Sequence, residues 1–276
     1  MKKVDVCNVK VNIVGSGSDL RKTFFELLNK GKSKIYTVNP EFIVDSYYDN
    51  SFRNVLNNSD FNTIDGFGVA LFVKNLLNSQ QNLGFFKLFR DYYRGEVRSL
   101  VLTGVDLTEK LLQISNNEGL SVFLLGGSPD KNISFKAYKI LRDRFPKIKF
   151  MGYSSDFSHK TTDDKETIKF IHKKMKESSC KKIDLLLVAY GHKNQEFWIE
   201  RNAHKIPANV AIGVGGTLDY ISGEVTRAPV FLRELGLEWL YRFISQPQRF
   251  VRILKATILF TIVVILNNKK SDKKRY

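Results

Sequence analysis

IDLLLVAYGHKNQE, residues 183–196, decides the fold. Seven residues run apolar but for one Asp, with no helical spacing, and a Tyr-Gly pair then stops them. Polar residues follow, and from Asn194 the apolar positions return at helical intervals. That is a strand buried on both faces, a turn, and a helix. The same unit recurs on either side. Strands are expected at Lys10–Val14, Ser33–Thr37, Phe61–Ile64, Ser121–Leu125, Lys147–Tyr153, Ile183–Ala189 and Val210–Val214. Helices are expected at Asp19–Asn29, Gly68–Asn78, Asp106–Asn116, Ile133–Arg144, Lys165–Glu177 and Asn194–Ala203. Strand alternating with helix predicts an α/β fold with a mainly parallel sheet flanked by helices. Several strands end directly in Gly, Asn, Asp or Pro: TVNPE, IDGFG, LLGGSPD, AYGHKNQE and VGGTLD. In an open parallel sheet such loops line the crevice where ligands bind.

The chain has 276 residues, enough for one such domain plus a short extra segment. We divide it into a catalytic core, 1–225, and a basic amphipathic appendage, 226–276. Cys7 and Cys180 are too few for a disulfide framework and, with no signal-peptide apolar region at the start, read as reduced cytosolic thiols. Net charge is +16, and the last 50 residues carry 11 Lys/Arg against 3 Asp/Glu, or +8. Such a tail suits nucleic acid, an anionic membrane or a phosphorylated ligand. Within it ATILFTIVVIL, residues 256–266, is an apolar run of 11. A spanning helix needs about 20, so the run is expected either to lie in a membrane surface or to pack on the core or another subunit.

Seven blocks carry a resemblance to a known family: TVNPEFIV (37–44), SDFNTIDGFGV (59–69), LTGVDL (102–107), VFLLGGSPD (122–130), GHKNQEFWIERN (191–202), VAIGVGGTLDYISGEVTRAP (210–229) and LGLEWLYRFISQPQR (235–249). In this order they resemble the WecG/TagA/CpsF glycosyltransferases. The resemblance implies a Rossmann-like core and an inverting transfer without metal or cofactor. The implied donor is a UDP-sugar, of N-acetylmannosamine or a related hexose. The implied acceptor is a polyprenyl-diphosphate-linked sugar at the inner face of the membrane, in the making of teichoic acid or another surface polysaccharide. Self-association of some relatives adds a homo-oligomer to the implied partners.

Asp65 follows the strand Phe61–Ile64 and precedes Gly66, so it can take a proton from an acceptor hydroxyl or cap the next helix. The family's Asp-Gly motif implies the catalytic role. Thr37 and Asn39 share one side of an extended segment, for sugar contact or, in Asn39, for helix capping; the resemblance implies the active site. Gly104 is implied likewise. Gly126 and Gly127 end a strand before a helix, a seat for phosphates or a simple turn. Gly213, Gly215, Gly216 and Asp219 allow close backbone approach or a tight turn. Arg242, Arg249 and Arg252, spaced i, i+7 and i+10, would form one stripe on a helix left unbent by Pro247, facing either a lipid diphosphate or solvent; the resemblance implies the diphosphate.

Two departures stand out. Lys193 and Asn194 occupy the places of the family's Pro and Lys, with Lys193 a candidate to replace that lysine. The retained Gln195 is expected to contact the ligand, and Glu196 suits a helix's first turn. Val101 stands where the family has Arg, and Arg98, three residues back, would be about 10 Å away along a strand. His159, His172, His192 and His204 show no metal-ligand spacing, and no Asp-x-Asp pair is present. A nicotinamide-dependent oxidoreductase would require the absent GxGxxG loop. A nucleic-acid-binding module would require aromatics among the terminal charges, where only Tyr276 occurs, so no nucleic-acid partner is expected.

Overall fold

The computed structural model describes residues 2–15, 17–77, 95–245 and 250–273. Six parallel strands form the central sheet in the order β4-β3-β8-β7-β5-β6. They are β3 (Ser33–Val38), β4 (Phe61–Ile64), β5 (Ser121–Gly126), β6 (Lys149–Ser154), β7 (Ile183–Ala189) and β8 (Ala208–Gly213). Alternation along β7 shows how both faces are filled. Leu186 and Val188 join one apolar cluster with the helices Pro40–Tyr48, Asn50–Asn57 and Asn194–Asn202. Leu185 and Leu187 join the other with Gly17–Lys30, Gly104–Glu118 and Ile133–Arg144. A sheet covered on both faces explains why its strands read as nearly unbroken apolar runs.

Expected elements of the core are present within a few residues, with three differences. The strand expected at Lys10–Val14 is β2 (Val9–Asn12), and it lies outside the parallel sheet. It pairs antiparallel with β1 (Lys3–Val6) through a turn whose Cys7 and Asn8 both have positive φ. The side chain of Asn12 accepts the Asn62 amide at 2.9 Å, so this hairpin satisfies the β4 edge. Second, Pro40–Tyr48 and Asn50–Asn57 are helices outside the expected set, although the capping considered for Asn39 marks where the first begins. They are punctuated by side-chain caps: Asn39 Oδ1 accepts from Phe42 N, and Asp49 Oδ1 from Ser51 N and Phe52 N. Third, the C-terminal segment, expected to be helical with a break near Pro247, is described as several pieces. It comprises Val230–Glu234, Glu238–Ser245, Phe250–Leu254, a π-helical turn Lys255–Leu259, and Phe260–Lys273. The last three join end to end and pack on the helix Pro40–Tyr48.

Candidate active site

A cleft of about 820 Å³ opens at the carboxyl ends of β3 and β4. Asp65 sits at its base, one residue past β4, with its backbone amide donating to Val38 O at 2.9 Å. Its Oδ2 accepts the Gly104 amide at 3.2 Å. A Cβ placed on Gly104 would stand 3.3 Å from Thr37 Oγ1 and 3.6 Å from Asp65 Oδ2. Thr37, Asp65 and Gly104, far apart in sequence, thus meet at one point. Asn39 lines the cleft and also caps its helix, so the two functions considered for it coexist.

Arginines and carboxylates alternate around the opening. Arg227 donates to both oxygens of Asp106, at 2.7 and 3.0 Å, and to Thr103 Oγ1 at 3.2 Å. Burial acts to raise the Asp106 pKa, but the bonds from Arg227 and Thr103 outweigh it and the carboxyl is held below its usual value. Arg252 grips Glu41 with a fork, at 3.0 Å from Nε and 2.7 Å from Nη2. One turn on, Lys255 reaches Asp45 Oδ1 at 2.5 Å, and His192 meets Oδ2 of the same carboxylate at 2.6 Å. Burial would raise the Asp45 pKa; these two partners lower it to about 2. The C-terminal helix is therefore pinned across the cleft by charged pairs. It supplies Ala256, Thr257, Phe260, Thr261 and Val264 as a wall.

Arg98 also lines this cleft, beside Val101. The 10 Å expectation fails because the segment is not a strand. Residues Arg98–Leu100 form a 3₁₀ turn, and Val101 N donates to Arg98 O at 3.0 Å. Residues i and i+3 eclipse in that geometry, which puts the guanidinium on the side Val101 faces. Arg98 is paired with Glu234 of the appendage at 2.9 Å. Lys193 goes elsewhere: its ammonium meets Asp49 at 2.7 Å over the Phe52 ring. Arg242 lies in the helix Glu238–Ser245, but its side chain, and all of Arg249, fall outside the described residues, as does most of the aromatic stretch Asn78–Arg98. Of the three arginines only Arg252 is described through its side chain, and it turns to Glu41 on the core.

The remaining glycines and Gln195 form a second group along the same sheet edge, apart from the cleft lining. Gly127 N donates to Ala189 O at 2.8 Å, tying the loop after β5 to the end of β7. A Cβ on Gly126 would come within 2.8 Å of the Ala189 backbone, and one on Gly127 within 2.9 Å of Ile133. Since β6 lies beyond β5 and β8 beyond β7, the chain leaves these two strands in opposite directions. In open parallel sheets such a reversal marks the place where ligands are commonly seated. Gln195 is buried; its Oε1 accepts the Gly215 amide at 2.8 Å and its Nε2 donates to Glu196 Oε1 at 2.7 Å. Glu196 has no exposed surface, and burial pushes its carboxyl up to about 7. Gly216 lies near Asp219, whose Oδ2 would be 3.3 Å from an added Cβ.

Sequence reasoning did not single out Arg227, Asp106, Thr103, Arg233 or Glu41, although all but Arg233 fall inside the quoted blocks. Among the described residues, no group of three or more His, Cys, Asp or Glu is placed to hold a metal ion.

A doubly covered parallel sheet with a carboxylate at a strand's carboxyl end, inside a cleft lined by arginines, defines an α/β protein with its candidate site at the strand ends. Comparison with known proteins gives the family. Residues 4–275 match the model of the glycosyl transferase WecG/TagA/CpsF family. The chain is 30% identical to an N-acetylglucosaminyldiphosphoundecaprenol N-acetyl-beta-D-mannosaminyltransferase of Bacillus spizizenii, over 94% of this chain and 88% of that protein. A protein of the same name from Bacillus subtilis is 30% identical over 88% and 82%. One from Staphylococcus aureus is 28% identical over 91% and 87%. The chain belongs to the WecG/TagA/CpsF family and is a glycosyltransferase.

Proposed function

We propose that this enzyme transfers N-acetylmannosamine, or a closely related hexose, from a UDP-sugar to a polyprenyl-diphosphate-linked N-acetylglucosamine, in the synthesis of teichoic acid or a related surface polymer. The observation that carries the reading is the Asp65 carboxylate, fixed by the Gly104 amide at the base of an arginine-rimmed cleft. The relatives' names supply the transferred sugar and the lipid acceptor. In the reaction an acceptor hydroxyl attacks the anomeric carbon from the face opposite UDP. The bond to the UDP oxygen breaks, UDP leaves with the electron pair, and the hydroxyl proton passes to Asp65. One displacement inverts configuration and needs one base, with neither metal nor cofactor. The arginines offset charge on the diphosphates.

Several features favour work at the inner face of the membrane. The described residues contain no helix long and apolar enough to cross it. The C-terminal helix instead exposes Ile258, Ile262, Ile265 and Leu266 on its outer side, within a strongly basic segment. An apolar stripe flanked by cations suits the surface of an anionic bilayer. The reading is tested by UDP release from a panel of UDP-sugars, with and without a polyprenyl-diphosphate-linked N-acetylglucosamine. Acceptor-dependent release from UDP-N-acetylmannosamine is expected; absence of acceptor-dependent release from every donor overturns the reading.

A further inference from the structure

The cleft changes character along its length. Next to Asp65 and Thr103 it is polar and charged; away from them the helix Phe67–Leu77 gives it Phe67, Leu71 and Phe72. Phe67 and Leu71 line successive turns, so the apolar floor runs about 6 Å along the helix and ends at the polar Asn75. The facing wall is the C-terminal helix, through Phe260 and Val264. The two walls meet where the Phe260 ring lies 3.4 Å from the position of a Cβ on Gly68. Leu71 and Val264 are only partly buried, against the apolar cluster that includes Phe72 and Phe260, so their surfaces remain open to the trench.

We propose that this trench is a binding site for the isoprenoid segment next to the diphosphate of the lipid acceptor, so that the enzyme itself, and not the bilayer alone, recognises the first part of the lipid. The inference rests on the reading of the acceptor above. What selects this occupant is the neighbouring charge. Arg98, Arg227, Arg233 and Arg252 all line the same cleft, between the base at Asp65 and solvent. Arg98, Arg227 and Arg252 are held by Glu234, Asp106 and Glu41. An anionic head would exchange with those carboxylates, an apolar peptide would not, and a soluble nucleotide would leave the trench uncovered. An amphiphile with an anionic head and a hydrocarbon tail uses both. Ile262 and Ile265 are exposed on the other side of the same helix and do not line the trench.

The test uses the full chain without membranes and compares binding of farnesyl diphosphate, below its aggregation concentration, with methyl diphosphate by calorimetry. The expected result is at least about a 10-fold preference for farnesyl diphosphate, which corresponds to about 1.4 kcal/mol. Leu71→Asn and Val264→Asn should each erase most of that preference, leaving methyl diphosphate binding unchanged. Ile262→Asn, on the outer face, should keep it. Equal binding of the two diphosphates by the wild-type protein overturns the proposal, as does a preference that survives both trench substitutions. If the trench variants misfold by circular dichroism, Leu71→Met and Val264→Ile, which keep apolar surface, must preserve the wild-type preference; its loss there also overturns it. Since no sugar enters this assay, its failure is distinguishable from failure of the transfer reading, which is judged by UDP release.

Discussion

The carboxyl edge of the sheet is used in two ways. At β3 and β4 it is open: Asp65, Asn39 and the arginine–carboxylate pairs surround a cleft closed by the chain's last helix. At β5, β7 and β8 the loops are held against the protein itself, with Gly126 packed on the Ala189 backbone, Gly127 on the Ile133 side chain and Gln195 spent on Gly215 and Glu196. The first half holds groups that can act on a substrate. In the second, the chain's own bonds set the shape of the loops. Conserving a loop's backbone and presenting a reactive side chain are different demands, and this edge separates them.

The sharpest way to break the comparison is at Asp65. Asp65→Asn should keep the bond from Gly104 and the fold, yet lower kcat by about 10²–10⁴-fold. Thermal melting and single-turnover transfer would check both halves of that statement. In the packed half the largest effects should fall on stability. Gly126→Ala puts a methyl within 2.8 Å of the Ala189 backbone at a φ of +94°. A loss of about 2–4 kcal/mol is expected in urea unfolding.

Glu196 sharpens the contrast through pH. Its folded pKa is raised from 4.5 to about 7 by burial, so the folded state holds the proton more tightly than the unfolded chain. That costs nothing below pH 4.5; stability falls as pH rises from there, and levels off above about 7. The total is on the order of 3 kcal/mol. Glu196→Gln should flatten unfolding free energy across this window. Gln195→Ala should cost about 1–3 kcal/mol by leaving Gly215 N without its acceptor; donor KM rising with kcat held would connect the loop to the nucleotide. Smallest is Arg252→Ala. Its pair with Glu41 is about half exposed on the arginine side, so an effect near 1 kcal/mol is expected on stability. A larger effect on acceptor KM would mark Arg252 as a ligand contact as well as a tether.

The core was largely legible because its signals are local. Ile183–Ala189 and Ile133–Arg144 carry their periodicity in their own residues, and both bounds agree with the structure. Helix Pro40–Tyr48 was marked only at its start, by Asn39, because it is apolar around much of its surface, and Asn50–Asn57 escaped notice because it is only 8 residues long. In the site, Asp65 and Asn39 were marked by their place after a strand. Arg227 and Asp106 had no such mark, since their meaning lies in a contact across 121 residues.

By itself, then, the amino-acid order determined that this chain folds as a doubly covered parallel sheet and that a carboxylate stands at the end of β4. Hydrophobic periodicity and strand-end turn residues act over a few positions, so they are written where they act. Only the tertiary structure decided that Arg98 reaches the cleft while Lys193 turns to Asp49, and that the apolar run 256–266 divides between a cleft wall and an outer stripe. Those outcomes depend on partners brought near by folding. Arg252 and Glu41, 211 residues apart, meet because two helices pack, and nothing near either residue encodes the other.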